Sequence, residues 1–229
     1  MIFMVDLREL YLLLKEHWGH LSWWPAESAF EVAVGAILTQ RTAWRNVESA
    51  IMRLKEKQAM HPDGILGIPE FELADMLRCC GFYRQKSTYL RDFCRFLVSE
   101  FEGDIEKMNA MGVEDARQAL LLVRGIGQET ADSILLYACG VSTFVIDEYT
   151  RRIVSRIERT EKPGYLVLKR RFESELPPDI NIYRQFHALL VELGKGYCKS
   201  KPECRGCPAF TVCLTAGASV EREQRVAQK

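Results

Sequence analysis

Apolar positions recur along this chain with a period near 3.6, which predicts helices joined by short connections. Asp6-Leu-Arg-Glu9 reads as an acidic N-cap with Glu at the third helical position, and Leu7, Leu10, Tyr11 and Leu14 follow at helical spacing. Ser28-Ala-Phe-Glu31 is a second capping box. It opens the almost wholly apolar run 30–38, read as a buried central helix. Further helices are predicted over about 44–57, 72–80, 86–100, 113–123, 129–138, 148–158, 165–175 and 182–195. Pro62, Gly64, Gly67 and Pro69 mark a loop between the first two of these. Only 143–146 looks strand-like, and it is too short to found a sheet. The fold class is all-α, about ten helices without repeats or a Gly/Ser linker.

The 229 residues are 48% hydrophobic and 27% charged, enough apolar material for one large core or two small ones. Global disorder is excluded, and no stretch approaches the ~20 apolar residues of a membrane span. The N-terminus lacks a basic region and a cleavage site, so no signal peptide is read and a cytoplasmic protein is expected. Lys+Arg and Asp+Glu are both 31, so any nucleic-acid binding must be local rather than a general coating. Residues 195–229 carry seven Lys/Arg against three Asp/Glu, which alone describes a solvated tail.

Cysteine usage adds chemistry. Cys79, Cys80, Cys94 and Cys139 lie in apolar helical sequence and read as small buried hydrophobes. Cys198, Cys204, Cys207 and Cys213 fall within sixteen residues, a spacing suited to a [4Fe–4S] cluster or a Zn ion. Only the middle pair is a CxxC, so a loop wrapping the larger object is favoured. Either group would be structural, tying down Lys199, Lys201 and Arg205 as a phosphate-facing surface.

Between two predicted helices lies Leu122-Val-Arg-Gly125-Ile-Gly127-Gln-Glu-Thr-Ala131. Its glycines permit a tight hairpin and expose backbone N–H groups at the next helix start, an anion site that needs no basic side chain. Asp147 stands twenty residues past Gly127, after an apolar run. It reads either as a helix N-cap or as a carboxylate able to stabilise an oxocarbenium ion and orient water. His17, His20, His61 and His187 share no ligand spacing with acids or cysteines and are assigned no chemistry.

The hairpin, an Asp about twenty residues on and a C-terminal four-Cys loop together resemble the endonuclease III superfamily of helix-hairpin-helix DNA glycosylases, over roughly 25–213. The resemblance implies two helical lobes, a central one over 29–135 and another combining 1–28 with 136–229. DNA is expected across the cleft where Gln40, Gly125, Gly127 and Asp147 converge. Asp147 would be catalytic. Ala36-Ile-Leu-Thr-Gln40 is similar to the segment whose Gln fills the gap left by a flipped base, and Gly81-Phe-Tyr-x-x-Lys86 to a segment near the DNA; Thr130 would also contact DNA. The four cysteines would hold the cluster, although the first spacing is one residue short of the family's six.

Glu129 departs from the pattern, because bifunctional relatives carry there a Lys that forms a Schiff base. A carboxylate cannot, which implies a monofunctional enzyme using activated water; Glu129 serves either a base pocket or only the first helical turn. Ser22-Trp23-Trp24-Pro25, Trp44 and Lys195 are similar to the 3-methyladenine branch of the superfamily, whose pocket is lined by tandem Trp, a further aromatic and a late Lys. Tryptophan faces suit a cationic methylated purine flipped from the duplex. The expected function is thus a monofunctional glycosylase for alkylated purines, acting as a monomer on duplex DNA containing a damaged base. A bifunctional glycosylase/lyase for oxidised pyrimidines and a noncatalytic DNA-binding protein stand as alternatives.

Overall fold

The computed structural model describes residues 3–216 and contains no β-strand among them. The basic stretch past residue 216 lies outside the described residues. In chain order the helices are α1 (Leu7–Trp18), α2 (Ala29–Leu38), α3 (Trp44–Glu56), α4 (Pro62–Gly67), α5 (Glu70–Met76), α6 (Tyr83–Phe101), α7 (Val113–Leu121), α8 (Gln128–Ser133), α9 (Glu148–Glu158), α10 (Tyr165–Glu175) and α11 (Ile180–Gly196). No described helix is long and apolar enough to cross a membrane.

The two N-terminal caps are made as the sequence predicts. Asp6 accepts from the backbone N–H groups of Arg8 and Glu9, and Ser28 Oγ accepts from Glu31 at 3.1 Å. The expected loop around Pro62 instead forms α4. His61 Nδ1 accepts from Gly64 N–H at 3.1 Å, and Pro62 occupies the first turn, where its missing N–H costs nothing. The predicted helix 72–80 breaks into α5 and a 3-10 turn, Arg78–Cys80, before Gly81 at φ +64°. The helix predicted over 129–138 is α8 followed by a π-helical turn, Ile134–Ala138.

The chain forms two compact units, Trp24–Thr143 and Met1–Trp23 with Phe144–Lys229. The boundaries, 23/24 and 143/144, lie five and eight residues from the expected 28/29 and 135/136. The later one shifts because the π-helical turn packs on α2. In the contiguous unit α2 is the axle: every residue after Ala29 is buried, among them Val34, Ile37 and Leu38. Phe93, Leu97 and Leu120 complete that core. Glu31 is the one acid buried on α2, and Lys55 Nζ pairs with it at 2.9 Å. The other unit is built around tilted and edge-on aromatics, Phe144 meeting Phe172, Tyr183 and Phe186, and Phe172 also meeting Phe186.

Candidate active site

Residues 143–146 are not a strand but a buried extended lead-in that delivers Asp147 to the N-cap of α9. Asp147 Oδ1 accepts from Thr150 N–H at 2.7 Å and from Thr150 Oγ1 at 2.8 Å. Its Oδ2 lies 3.7 Å from His187 Nε2 on α11. Asp147 is only 7% exposed. Burial pushes the carboxyl up, but His187 and the two Thr150 donors outweigh it and hold the group below the usual aspartate range. Asp147 is therefore a carboxylate at neutral pH, both a helix cap and a fixed negative charge. The histidine beside it carries no spacing signal in the sequence; only its place on the buried face of α11 brings the two together.

The hairpin joins α7 to α8. Gly125 has φ +88°, and a Cβ there would sit 2.1 Å from Tyr89 Cγ, so both backbone and space require glycine. Gly127 differs: it is extended, caps α8, and a Cβ would meet nothing within 4 Å. Gln40 braces the turn, its Nε2 donating to Gly125 O at 2.9 Å and to Thr130 Oγ1 at 3.2 Å. The flanking helices are locked by a buried ion pair, Arg117 Nε on α7 to Asp132 Oδ1 on α8 at 2.9 Å, with Thr143 Oγ1 also donating to that oxygen at 3.1 Å. Glu129 is exposed in the first turn of α8.

Trp24, Trp44 and Tyr137 form an aromatic patch in the contiguous unit. Trp24 meets Trp44 edge-on at 5.7 Å and Tyr137 at 5.0 Å. Gly35 lies beneath them: a Cβ there would come within 3.2 Å of Trp24 Nε1. That indole N–H is shielded from solvent and has no acceptor among the described residues, although Trp24 itself is half-buried. Trp44 Nε1 donates to Glu48 at 2.8 Å. Trp23 belongs to the other unit, where Lys195 Nζ lies 4.8 Å from its ring centre and 3.1 Å from Glu192.

Residues 34–178 match the model of the HhH-GPD superfamily base excision DNA repair proteins. The chain belongs to the HhH-GPD superfamily. It is 42% identical over 210 residues to MJ1434 of Methanocaldococcus jannaschii, whose name assigns it to the DNA repair glycosylases, covering 90% of this chain and 95% of that one. A non-covalent endonuclease III–DNA complex has the same fold, with a TM-score of 0.81 at 20% identity over 96% of this chain and 100% of that chain. Helicobacter pylori 3-methyladenine DNA glycosylase, solved with 1,N6-ethenoadenine, gives a TM-score of 0.74 at 27% identity over 83% and 98%. This HhH-GPD protein is a DNA glycosylase.

Two residues of the Gly81-Phe-Tyr-x-x-Lys86 segment of this HhH-GPD chain are placed in opposite ways. Lys86 corrects an expectation: it is 2% exposed, and its Nζ donates to Leu38 O at 2.9 Å and Cys80 O at 2.7 Å. The ammonium ties the end of α2 to the 3-10 turn instead of reaching a phosphate, and burial lowers its pKa. Phe82, inside the Gly81-Phe-Tyr-x-x-Lys86 segment expected near the DNA but given no role of its own there, follows Gly81 in a left-handed conformation at φ +45° and is 62% exposed. A large aromatic held so far out of its preferred backbone is a signal of use rather than packing. The clue in the sequence was an aromatic immediately after a turn glycine.

Cys198, Cys204, Cys207 and Cys213 line one cavity with Ile153, Ile157 and Leu193. Among the described residues no group of three or more His, Cys, Asp or Glu is arranged to hold a metal ion. α9 holds the loop from outside. Arg152 Nε donates to Cys198 O at 2.8 Å, and Arg156 reaches Cys198 Sγ at 3.4 Å, Ser200 O at 2.9 Å and Lys199 O. Burial and the neighbouring sulfurs push the Cys207 thiol up to about 11. The other four cysteines are free thiols; three are buried and Cys79 is half-buried.

Proposed function

We propose that this glycosylase is monofunctional and hydrolyses the N-glycosidic bond of an alkylated purine such as 3-methyladenine, flipped out of duplex DNA. The observation that carries the substrate class is the Trp24–Trp44–Tyr137 patch on Gly35, three electron-rich rings in contact within the contiguous unit. Electron-rich faces attract a cationic methylated base, and that base leaves readily without a strong general acid. The resemblance to the H. pylori glycosylase supports the same class.

Asp147 supplies the charge that stabilises the oxocarbenium ion as the bond breaks and orients the attacking water. Its depressed pKa suits that role, since protonation would remove the charge. Glu129, in place of an amine nucleophile, supports hydrolysis over Schiff-base chemistry. Backbone N–H groups at Gly127 and the start of α8 would take a phosphate, the bare Cα of Gly127 leaving room for it. Phe82 would stack against bases exposed when the lesion leaves the duplex. Cys198, Cys204, Cys207 and Cys213 fit a [4Fe–4S] cluster, which needs four thiolates around one space rather than converging on one ion. When bound, it would be ligated by those thiolates and fix the loop bearing Lys199, Lys201 and Arg205.

The test is incubation with methylated duplex DNA, with released bases identified and strands scored with and without hot alkali. Free 3-methyladenine with breaks only after alkali is expected, and D147N should lose nearly all release while binding the duplex. Breaks without alkali, or trapping by borohydride, would establish a lyase and overturn the reading of Glu129.

A further inference from the structure

We propose that His187 is a positioning residue for Asp147, fixing the second carboxylate oxygen while Thr150 fixes the first. The inference rests on Asp147 as the catalytic carboxylate. Both Thr150 donors converge on Oδ1, which leaves the plane of the carboxylate set at one end only. His187 Nε2 stands at 3.7 Å from the other end, inside ion-pair reach and a short approach from a hydrogen bond. Such contacts are often long before substrate binds and tighten in the loaded complex. Both partners are shut off from solvent, His187 at 5% exposure, so the contact acts in a low-dielectric setting.

The surroundings argue against a packing role alone. His187 sits on the buried face of α11, with Tyr183, Leu190, Val191 and Gly194 at helical spacing from it, and α11 packs on α9. Leucine would fill such a place without the cost of burying an imidazole. An Nε2–H donated to Oδ2 as that contact closes would hold the oxygen in one orientation, which a carboxylate needs if it is to direct water and face a developing cation. A neutral ring with the proton on Nε2 and an imidazolium both provide the donor.

The experiment compares H187L, which removes the donor, with H187Q, which restores an N–H, in wild-type and D147N backgrounds. Single-turnover release from methylated duplex, duplex Kd and thermal midpoint are read together. H187L is expected to slow release about 10- to 100-fold with Kd within about twofold, and H187Q to recover most of the loss. In D147N, H187L should have no further effect, since the two act as one unit. Wild-type rates for H187L, equal slowing by both variants with a matching fall in midpoint, or an undiminished effect in D147N would each overturn the proposal. Wild-type rates in D147N would instead sink the reading of Asp147, a separate result. An arm that needs no substrate is the 15N shift of the His187 ring. It should move between wild type and D147N, whose Asn still caps α9; an unmoved shift counts against the contact.

Discussion

Replacing Gly125 by alanine should loosen the hairpin, and the cost can be worked from two independent sources. At φ +88° an alanine adopts a left-handed backbone, worth about 1–2 kcal/mol. Its Cβ would lie 2.1 Å from Tyr89 Cγ and within 2.4 Å of both Cδ atoms, where carbons ordinarily keep about 3.5–4.0 Å. Tyr89 packs against the core, so its ring must retreat by more than an ångström from a filled space, an overpacking cost of about 1–3 kcal/mol. Together the loss is about 2–5 kcal/mol, a large share of a domain's usual margin. Urea titration should show a lower midpoint at unchanged slope. A Tyr89→Ala background should return the steric part and leave the backbone part. Gly127→Ala is the control: its Cβ enters open space from extended backbone, so stability should stay within about 1 kcal/mol. Any loss of duplex binding there reports on what approaches from outside. If G125A proves as harmless as G127A, the close approach of Tyr89 to the hairpin is wrong.

Lys86→Met should destabilise by about 2–4 kcal/mol, because it orphans two buried carbonyls; its salt dependence of duplex binding should match wild type, and a slope reduced by one contact would return Lys86 to the DNA. Asp132→Ala removes the carboxylate paired with a buried guanidinium and should cost about 3–5 kcal/mol in denaturant titration; a near-neutral result would refute the lock across the hairpin. Asp147 is depressed, so its contribution to stability is complete above the unfolded value of about 3.9 and is lost only as pH falls through the lower folded value. The acid limb of base release should accordingly lie below that of an ordinary aspartate, and a limb near pH 6 would contradict the assignment.

Much of this molecule is legible in local pattern. Capping residues at Asp6 and Ser28 and the apolar run of α2 place helices because their physics acts over four residues. α4 was hidden by proline and glycine, which signal a loop unless a preceding side chain caps them, as His61 does. Asp147 and the hairpin glycines could be singled out by type and spacing. What they touch could not: His187 lies forty residues from Asp147, and Arg117 meets Asp132 only because the hairpin folds α7 back toward α8. Lys86 was misjudged for a related reason. The resemblance placed its segment near the DNA, and only the two carbonyls at its tip reveal the inward turn.

The unit that carries Asp147 is made from both ends of the chain. Val5 N–H donates to Glu158 at 3.0 Å and Val5 O accepts from Arg171; Leu21 exchanges two hydrogen bonds with Gln185; Tyr11 packs on Phe186. Every one of those partners is translated more than 150 residues after the segment it secures. During synthesis Trp24–Thr143, whose contacts are contiguous, can assemble early, while α1 must wait for α9, α10 and α11 to leave the ribosome. A nascent chain can therefore acquire its hairpin well before the frame of its carboxylate closes, and a prematurely terminated product would hold the former without the latter.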